Sequence, residues 1–261
     1  MTRLGYGEEI RRWRVKKHKE HDRLLYARYS NITVITAGSK AEGLTCFLES
    51  DWDVLNALNS ILCVEAGINL QTLPDDVDLF KMDTRVYPGH CRLFLDGQAL
   101  RSPKAIINSL CDNGYGDVLL SSSLLLDEYS PRLFRPPTHL SVVHHERAGP
   151  SLPESIAGIH LDMVPSLRCH CPSILQRWAA RPRHWPSPVI VQKVVSLGAY
   201  LTPVGCKNSE AKHMEWRICF NTGESELVNN LNDTQAKVYV ILKMILKDLI
   251  KPHKKEIASY C

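Results

Sequence analysis

Apolar and polar positions alternate in short bursts through the middle of the chain, and helical spacing takes over towards its two ends. Residues 8 to 28 read as one long helix, with Ile10, Trp13, Leu24 and Leu25 as a partial apolar stripe. Ile32 to Thr36 is an alternating β-branched run and predicts a strand. A second strand is expected to begin near Asp51. Residues 54 to 70 are ambiguous between strand and helix. Residues 77 to 97 predict two strands around the Pro88-Gly89 turn, the second alternating through Cys91 to Leu95. Residues 103 to 129 look helical in part, broken at Asn113 to Gly116. The Pro-rich stretch 130 to 156 predicts loops around one short strand, Leu140 to His145. Ile159 to Val164 reads as an apolar strand ended by Pro165. Val189 to Val195 and Glu215 to Phe220 read as strands, with an unassigned segment from Leu197 to Val204. A last helix is expected from about 234 to 250, capped by Asn232-Asp233-Thr234 and closed by Pro252. Its stripe is Val238, Ile241, Leu242, Ile245 and Leu249.

The stretch from Ile32 to Leu55 concentrates the chemistry. The first strand breaks at Gly38-Ser39, and Ser39 and Glu42 have capping-box spacing for a short helix. Its N-terminus would offer N–H groups and a positive dipole end to a phosphate. In the next strand Asp51 and Asp53 share one face while Trp52 points away. Two adjacent carboxylates repel unless a cation lies between them or one is protonated. Mg²⁺ suits such oxygen-rich sites, taking one or two carboxylates together with water and substrate phosphates. A third acid, Asp162, sits inside the apolar run Ile159 to Val164, where a charge is costly unless paired or metal-bound.

Charge and composition narrow the setting. The chain has 261 residues, 44% of them hydrophobic, enough for a sizeable core. The formal net charge is only +4, so local clusters matter more than the total. Nine Lys or Arg fall within the first thirty residues. Arg11, Arg12 and Lys16 are the candidates for tracking a nucleic-acid backbone by displacing its counterions. Arg177, Arg181, Arg183 and His184 form a second basic cluster. The nine cysteines lack the spacing of a disulfide framework, which favours a reducing compartment, cytosol or nucleus. No apolar run is long enough for a membrane span. His144 and His145 face opposite ways on a strand and make a poor metal pair. Cys169-His170-Cys171 has no second Cys pair near it, so zinc is not expected.

These motifs, in this order, resemble the nucleotidyltransferase domain of cyclic GMP–AMP synthase and its relatives, above all the male-abnormal (Mab) family with the cGAS-like receptors. The resemblance rests on Gly38-Ser39, Asp51-x-Asp53, Gly149-Pro150-Ser151 followed by Asp162, Glu215-Trp216-Arg217-Ile218-Cys219-Phe220, Gln235, Tyr239 and Lys243, and Ser259-Tyr260. It implies an α+β, bilobal nucleotidyltransferase fold with a mixed central sheet, a core lobe over 1–165 and a mostly helical lobe over 166–261. That second lobe is expected to be shortened, because the family continues beyond the position of Cys261.

The resemblance further implies that Asp51, Asp53 and Asp162 hold two Mg²⁺ (or Mn²⁺) ions and carry catalysis. Gly38, Ser39, Arg217, Lys243, Ser259 and Tyr260 would contact nucleotide. Cys219 replaces a family serine, so a thiol stands where a hydroxyl is usual. No counterpart of the zinc-binding insertion of the vertebrate DNA sensor lies between Val204 and Trp216. The implied activity is synthesis of a cyclic dinucleotide from ATP and GTP on sensing double-stranded RNA or DNA, in innate immunity. The alternative is a catalytically silent Mab-domain protein that binds nucleic acid or a protein partner.

Overall fold

The computed structural model describes residues 6–28, 31–45, 50–68, 75–129, 142–147 and 149–250. The first helix, α1 (Glu8–Arg28), and the first strand, β1 (Ile32–Thr36), follow the expected bounds. A single turn, α2 (Gly38–Ala41), leads to a long strand, β2 (Trp52–Glu65). Residues 54–65 of the ambiguous segment therefore belong to one strand. Leu55, Ala57, Leu58, Ile61, Cys63 and Val64 are all buried along it, and burial on both faces removes the alternation that marks a half-exposed strand.

Strands β3 (Asp78–Asp83) and β4 (His90–Gly97) flank the Pro88-Gly89 turn, as expected. Residues 103–129 contain two short helices, α3 (Lys104–Ile107) and α4 (Ser122–Tyr129), around a hairpin of β5 (Leu110–Asp112) and β6 (Val118–Leu120). Next come β7 (Val142–His144), β8 (Leu152–Ile156) and β9 (Ile159–His170). Two expectations fail here. Residues 152–156 form a strand where loop was expected, and Pro165 lies within β9. Its position explains the tolerance. On that flank β8 pairs with β9 only as far as Met163, and β10 (Ala199–Thr202) begins pairing at Leu167. Pro165 falls in the gap, where a missing N–H deprives no neighbour on that side.

Helices α5 (Pro172–Ala179) and α6 (Pro188–Leu197) precede β10, and β11 (Glu215–Cys219), α7 (Asn221–Asn229) and α8 (Asp233–Ile245) follow it. The strand expected at Val189 to Val195 is helix α6. Pro188 occupies its first turn, and Val191 and Val194 are its buried positions. This i, i+3 spacing outweighs the β-branched composition.

The main sheet runs β1-β2-β3-β4-β11-β10-β9-β8-β7, with β2 also paired to β9. The path from β2 through β3, β4, β11, β10 and β9 thus returns to β2, and the sheet closes on itself. The β2–β3 and β2–β9 pairs are parallel, and the other main-sheet pairs are antiparallel. The boundary expected after residue 165 falls inside β9, and β10 and β11 continue the same sheet.

The principal core gathers alternate residues of these strands, among them Ile61, Cys63, Phe80, Met82, Leu93 and Trp216. Trp216 is fully buried and donates its indole N–H to the Leu120 carbonyl at 2.9 Å. Cys169 Sγ lies 3.0 Å from Met82 Sδ; burial pushes the Cys63 and Cys91 thiols up, and a hydrogen bond with Cys171, then burial, raises that of Cys169. These cysteines act as small core hydrophobes. None of the seven described cysteines forms a disulfide.

The long helix crosses the back of β1 and β2. Asp22 accepts hydrogen bonds from Thr36 N–H (2.8 Å) and Thr36 Oγ1 (2.6 Å), and Trp52 Nε1 donates to the same hydroxyl (3.2 Å). His18 and His21 lie against the Trp52 ring. Of the expected stripe on α1, Leu25 packs against the Val34, Trp52, Val54 and Met163 cluster, but Trp13 and Leu24 are 56% and 64% exposed. Arg11 and Arg14 occupy buried positions instead. Among the described residues, no helix is long and apolar enough to cross a membrane.

Candidate functional site

Strand pairing places the first two acids. Thr36 pairs with Val54, and the Ala37 N–H donates to the Asp53 carbonyl at 2.9 Å. The chain then turns through Gly38, which has φ +62°. A Cβ here would lie 2.5 Å from Asp53 Oδ2. Glycine is therefore required twice, by the left-handed backbone and by the carboxylate against it. On the next strand Trp52 is buried in a small cluster with Val34, Val54 and Met163. Asp53 takes the opposite face by the period of two, with Asp51 one strand step away.

The third acid arrives by parallel pairing, with Asp162 directly opposite Asp53. Ser151 Oγ donates to Asp162 Oδ1 at 2.9 Å, joining the Gly149-Pro150-Ser151 segment to this acid. The carboxyl of Asp53 is pushed up to about 6. Desolvation by the surrounding protein contributes most, although the open cleft leaves the residue accessible to solvent. Repulsion from Asp162 and then Asp51 adds to it, and Lys243 and Lys40 pull the other way.

The acids stand at a cavity of about 900 Å³ whose lining includes Gly38, Ser39, Asp51, Asp53, Arg217 and Lys243. Asp162 stands next to Asp53 outside that lining. Arg217, half-buried on β11, pairs with Thr202 of β10. Cys219 also lines the cavity, with its Sγ 3.4 Å from Thr202 Oγ1. Asn221, at the start of α7, is another wall residue, and its buried Oδ1 has no hydrogen-bond partner among the described residues. Ser259 and Tyr260 lie outside the described residues.

The capping box expected at Ser39 and Glu42 does not form. The helical turn begins two residues earlier, with Ala37 in place of Ser39 as the N-cap, and no side chain caps it. Four residues are also too few to gather a useful helix dipole. Ser39 and Glu42 instead face α8, where Lys243 Nζ donates to Ser39 Oγ at 3.2 Å and to Glu42 Oε2 at 2.8 Å. A capping box does form where α8 begins, between Asn232 and Gln235. The apolar stripe expected on α8 is exposed, with Val238, Leu242 and Leu249 at least half open to solvent. Ala236 and Val240 are its buried positions, and Val240 packs with Leu44 and Val228.

The basic residues proposed for nucleic acid divide. Arg12 and Lys16 are exposed, and Arg12 pairs with Glu8 one turn away. Arg11 is only 4% exposed and donates to the carbonyls of Val228 (3.0 Å) and Leu231 (3.3 Å). Its guanidinium ties α1 to the C-terminal end of α7 and cannot also reach a phosphate backbone. Nothing in the spacing of Arg11 and Arg12 separated these two fates.

The comparison with known families bears on the later part of the site. Residues 133–230 match the Mab-21 protein nucleotidyltransferase domain. This match is consistent with a member of the Mab-21/cGAS-like family. The matched span runs from the segment before β7 to α7 and contains Asp162 and Arg217. Gly38, Asp53 and Lys243 lie outside it and join it only through the fold. No curated protein matches the chain.

Proposed function

We propose that this protein is a metal-dependent nucleotidyltransferase that joins ATP and GTP into a cyclic dinucleotide when it meets double-stranded nucleic acid. One observation carries the reading: Asp53 and Asp162 face each other across parallel strands beside a glycine turn, at the edge of a cavity that a nucleotide would fit.

Asp51, Asp53 and Asp162 would hold Mg²⁺ or Mn²⁺. Their oxygens suit a hard cation, and their mutual repulsion is what such a cation relieves. Among the described residues, no three His, Cys, Asp or Glu side chains close a metal cage by themselves. Once bound, two such ions lower the pKa of an attacking hydroxyl and neutralise charge on the leaving pyrophosphate.

The remaining work is positioning and charge balance. Gly38 lets backbone come close to a phosphate, while Ser39 and Lys243 supply donors at the same turn. Arg217 brings positive charge to the cavity from β11. The unpartnered Oδ1 of Asn221 suits a base N–H. Asp162, placed beside Asp53, is the candidate to take the proton of the attacking ribose hydroxyl. On the outer face of α1, Arg12 and Lys16 are exposed cations for a duplex backbone.

The test is incubation with ATP, GTP, Mg²⁺ or Mn²⁺, and double-stranded RNA or DNA, with products separated by chromatography. Product that disappears in Asp51→Asn/Asp53→Asn supports the enzyme. Nucleic-acid binding without product under every condition replaces it with the silent binding module.

A further inference from the structure

We infer that Glu42 is a positioning residue for Lys243, holding its ammonium over the Gly38-Ser39 turn so that one N–H stays directed at a nucleotide phosphate. The inference rests on the nucleotide reading of the cavity and adds to it a residue that none of the sequence motifs assigned to nucleotide.

Lysine is a poor positioner by itself, with a compact charge on a flexible four-carbon stem. Here three neighbours fix that charge. Glu42 Oε2 lies at 2.8 Å, Ser39 Oγ at 3.2 Å, and the Tyr239 ring centroid at 4.9 Å. An ammonium has three donors, and two of them are taken by Glu42 and Ser39. The Tyr239 ring lies against the same ammonium, and Lys243 itself lines the cavity together with Gly38, Ser39 and Glu42.

Glu42 has the marks of a support. Its side chain is 5% exposed, against 28% for Lys243. A buried carboxylate is costly unless it is paired, and the partner comes from a helix 201 residues away in sequence. A merely structural bridge between helices needs no opening to solvent, yet the cation of this pair opens on the cavity. Glu224, on α7, lines the same cavity, and burial together with Glu42 holds its carboxyl above the ordinary range while Lys243 draws it back. Lys243 is thus the cation on which nearby acids converge, and Glu42 is the acid that touches it.

The experiment uses the full chain, Glu42→Gln and Glu42→Asp, with two readouts. The first is the titration of the Lys243 amine in nucleotide-free protein, by NMR of ¹³C-dimethylated lysines, with the signal assigned by its loss in Lys243→Arg. The amine is expected to titrate at lower pH in Glu42→Gln than in wild type. The second is ATP affinity by calorimetry with Mg²⁺ present, together with KM and kcat. Loss of a charged hydrogen-bond partner is expected to weaken ATP binding about tenfold in Glu42→Gln. KM should rise in step, with kcat within about threefold. Glu42→Asp, which keeps the charge, should fall between.

An unchanged Lys243 titration overturns the contact. Unchanged or tighter ATP binding in Glu42→Gln overturns the positioning role. A fall in kcat at constant KM marks a residue that only supports the fold, and also overturns it. If the wild type binds no ATP while the Lys243 titration still responds to Glu42, the nucleotide reading has failed and takes the phosphate role with it.

Discussion

Asp53 and Asp162 are held by the backbone ladder of two parallel strands, whereas Lys243 and Glu42 meet side chain to side chain between α8 and the turn after β1. The acidic wall is therefore as rigid as the sheet, and the cationic wall is only as fixed as one buried ion pair. A strand ladder gives direction almost without choice, because each residue must point to one face or the other. A helix offers a full circle of directions, and its partners select among them. The two walls should respond differently to substitution, and the responses can be ranked.

The largest combined loss, of stability and of activity together, is expected at the joint between them. In Gly38→Ala, a methyl group meets the Asp53 carboxylate at 2.5 Å from a backbone with φ +62°. Backbone strain of this kind costs about 1–3 kcal/mol. Metal-dependent product should fall by at least about a hundredfold, a loss equal to roughly 3 kcal/mol of transition-state stabilisation. Chromatography of product and urea denaturation check the two parts. A variant that keeps normal activity would break the claim that the turn and the acid form one unit.

Next is Asp53→Asn, which should abolish product yet raise the melting temperature of metal-free protein near neutral pH. In the folded chain this carboxyl keeps its proton up to about pH 6. The folded state thus binds that proton more tightly than the unfolded chain does. The resulting stability is fully present below the ordinary aspartate range and is lost as pH rises through about 6. Melting curves from pH 4 to 8 should show this loss in wild type and lack it in Asp53→Asn. Mg²⁺ or Mn²⁺ affinity should move oppositely, growing as pH rises through the same interval, because the metal competes with the proton.

A third effect separates neighbours on α1. Arg11→Met removes the guanidinium donor from the Leu231 carbonyl and one of the donors from the Val228 carbonyl, and should cost about 1–3 kcal/mol in urea unfolding. Arg12→Glu should leave stability nearly unchanged while weakening duplex binding at moderate salt, read by gel shift across a salt series. The smallest effect is expected at Trp13→Ala. That ring is 56% exposed, so stability should stay within about 0.5 kcal/mol.

The same contrast explains what could be read from the chain in advance. Alternation around Trp52 was enough to place Asp51 and Asp53 on one face. The costly charge inside an apolar run was enough to mark Asp162. Their meeting across β2 and β9 needed the resemblance, because strand pairing over a hundred residues has no local signature. On the helices the apolar positions misled. Trp13 and Leu24 face water, as do Val238 and Leu242, while Arg11, Arg14 and Lys40 are buried. A long basic side chain can spend its apolar stem on packing and its head on a carbonyl, so hydrophobicity alone does not mark the inner face. Glu42 was legible only as a capping residue, since its true partner is far away in sequence. Val189 to Val195 misled through β-branched composition, although Pro188 and the spacing of Val191 and Val194 pointed to a helix.

The pairing of Lys243 with Ser39 and Glu42, and of Arg11 with Val228 and Leu231, spans more than two hundred residues in each case. During synthesis, the acids on β2 emerge from the ribosome long before the lysine that faces them. Domains fold as units once enough chain is available, and these contacts wait for the arrival of α8. A polypeptide interrupted before that helix would carry its aspartates without the Lys243 ammonium, and the Ser39-Glu42 turn without the partner that spans to it.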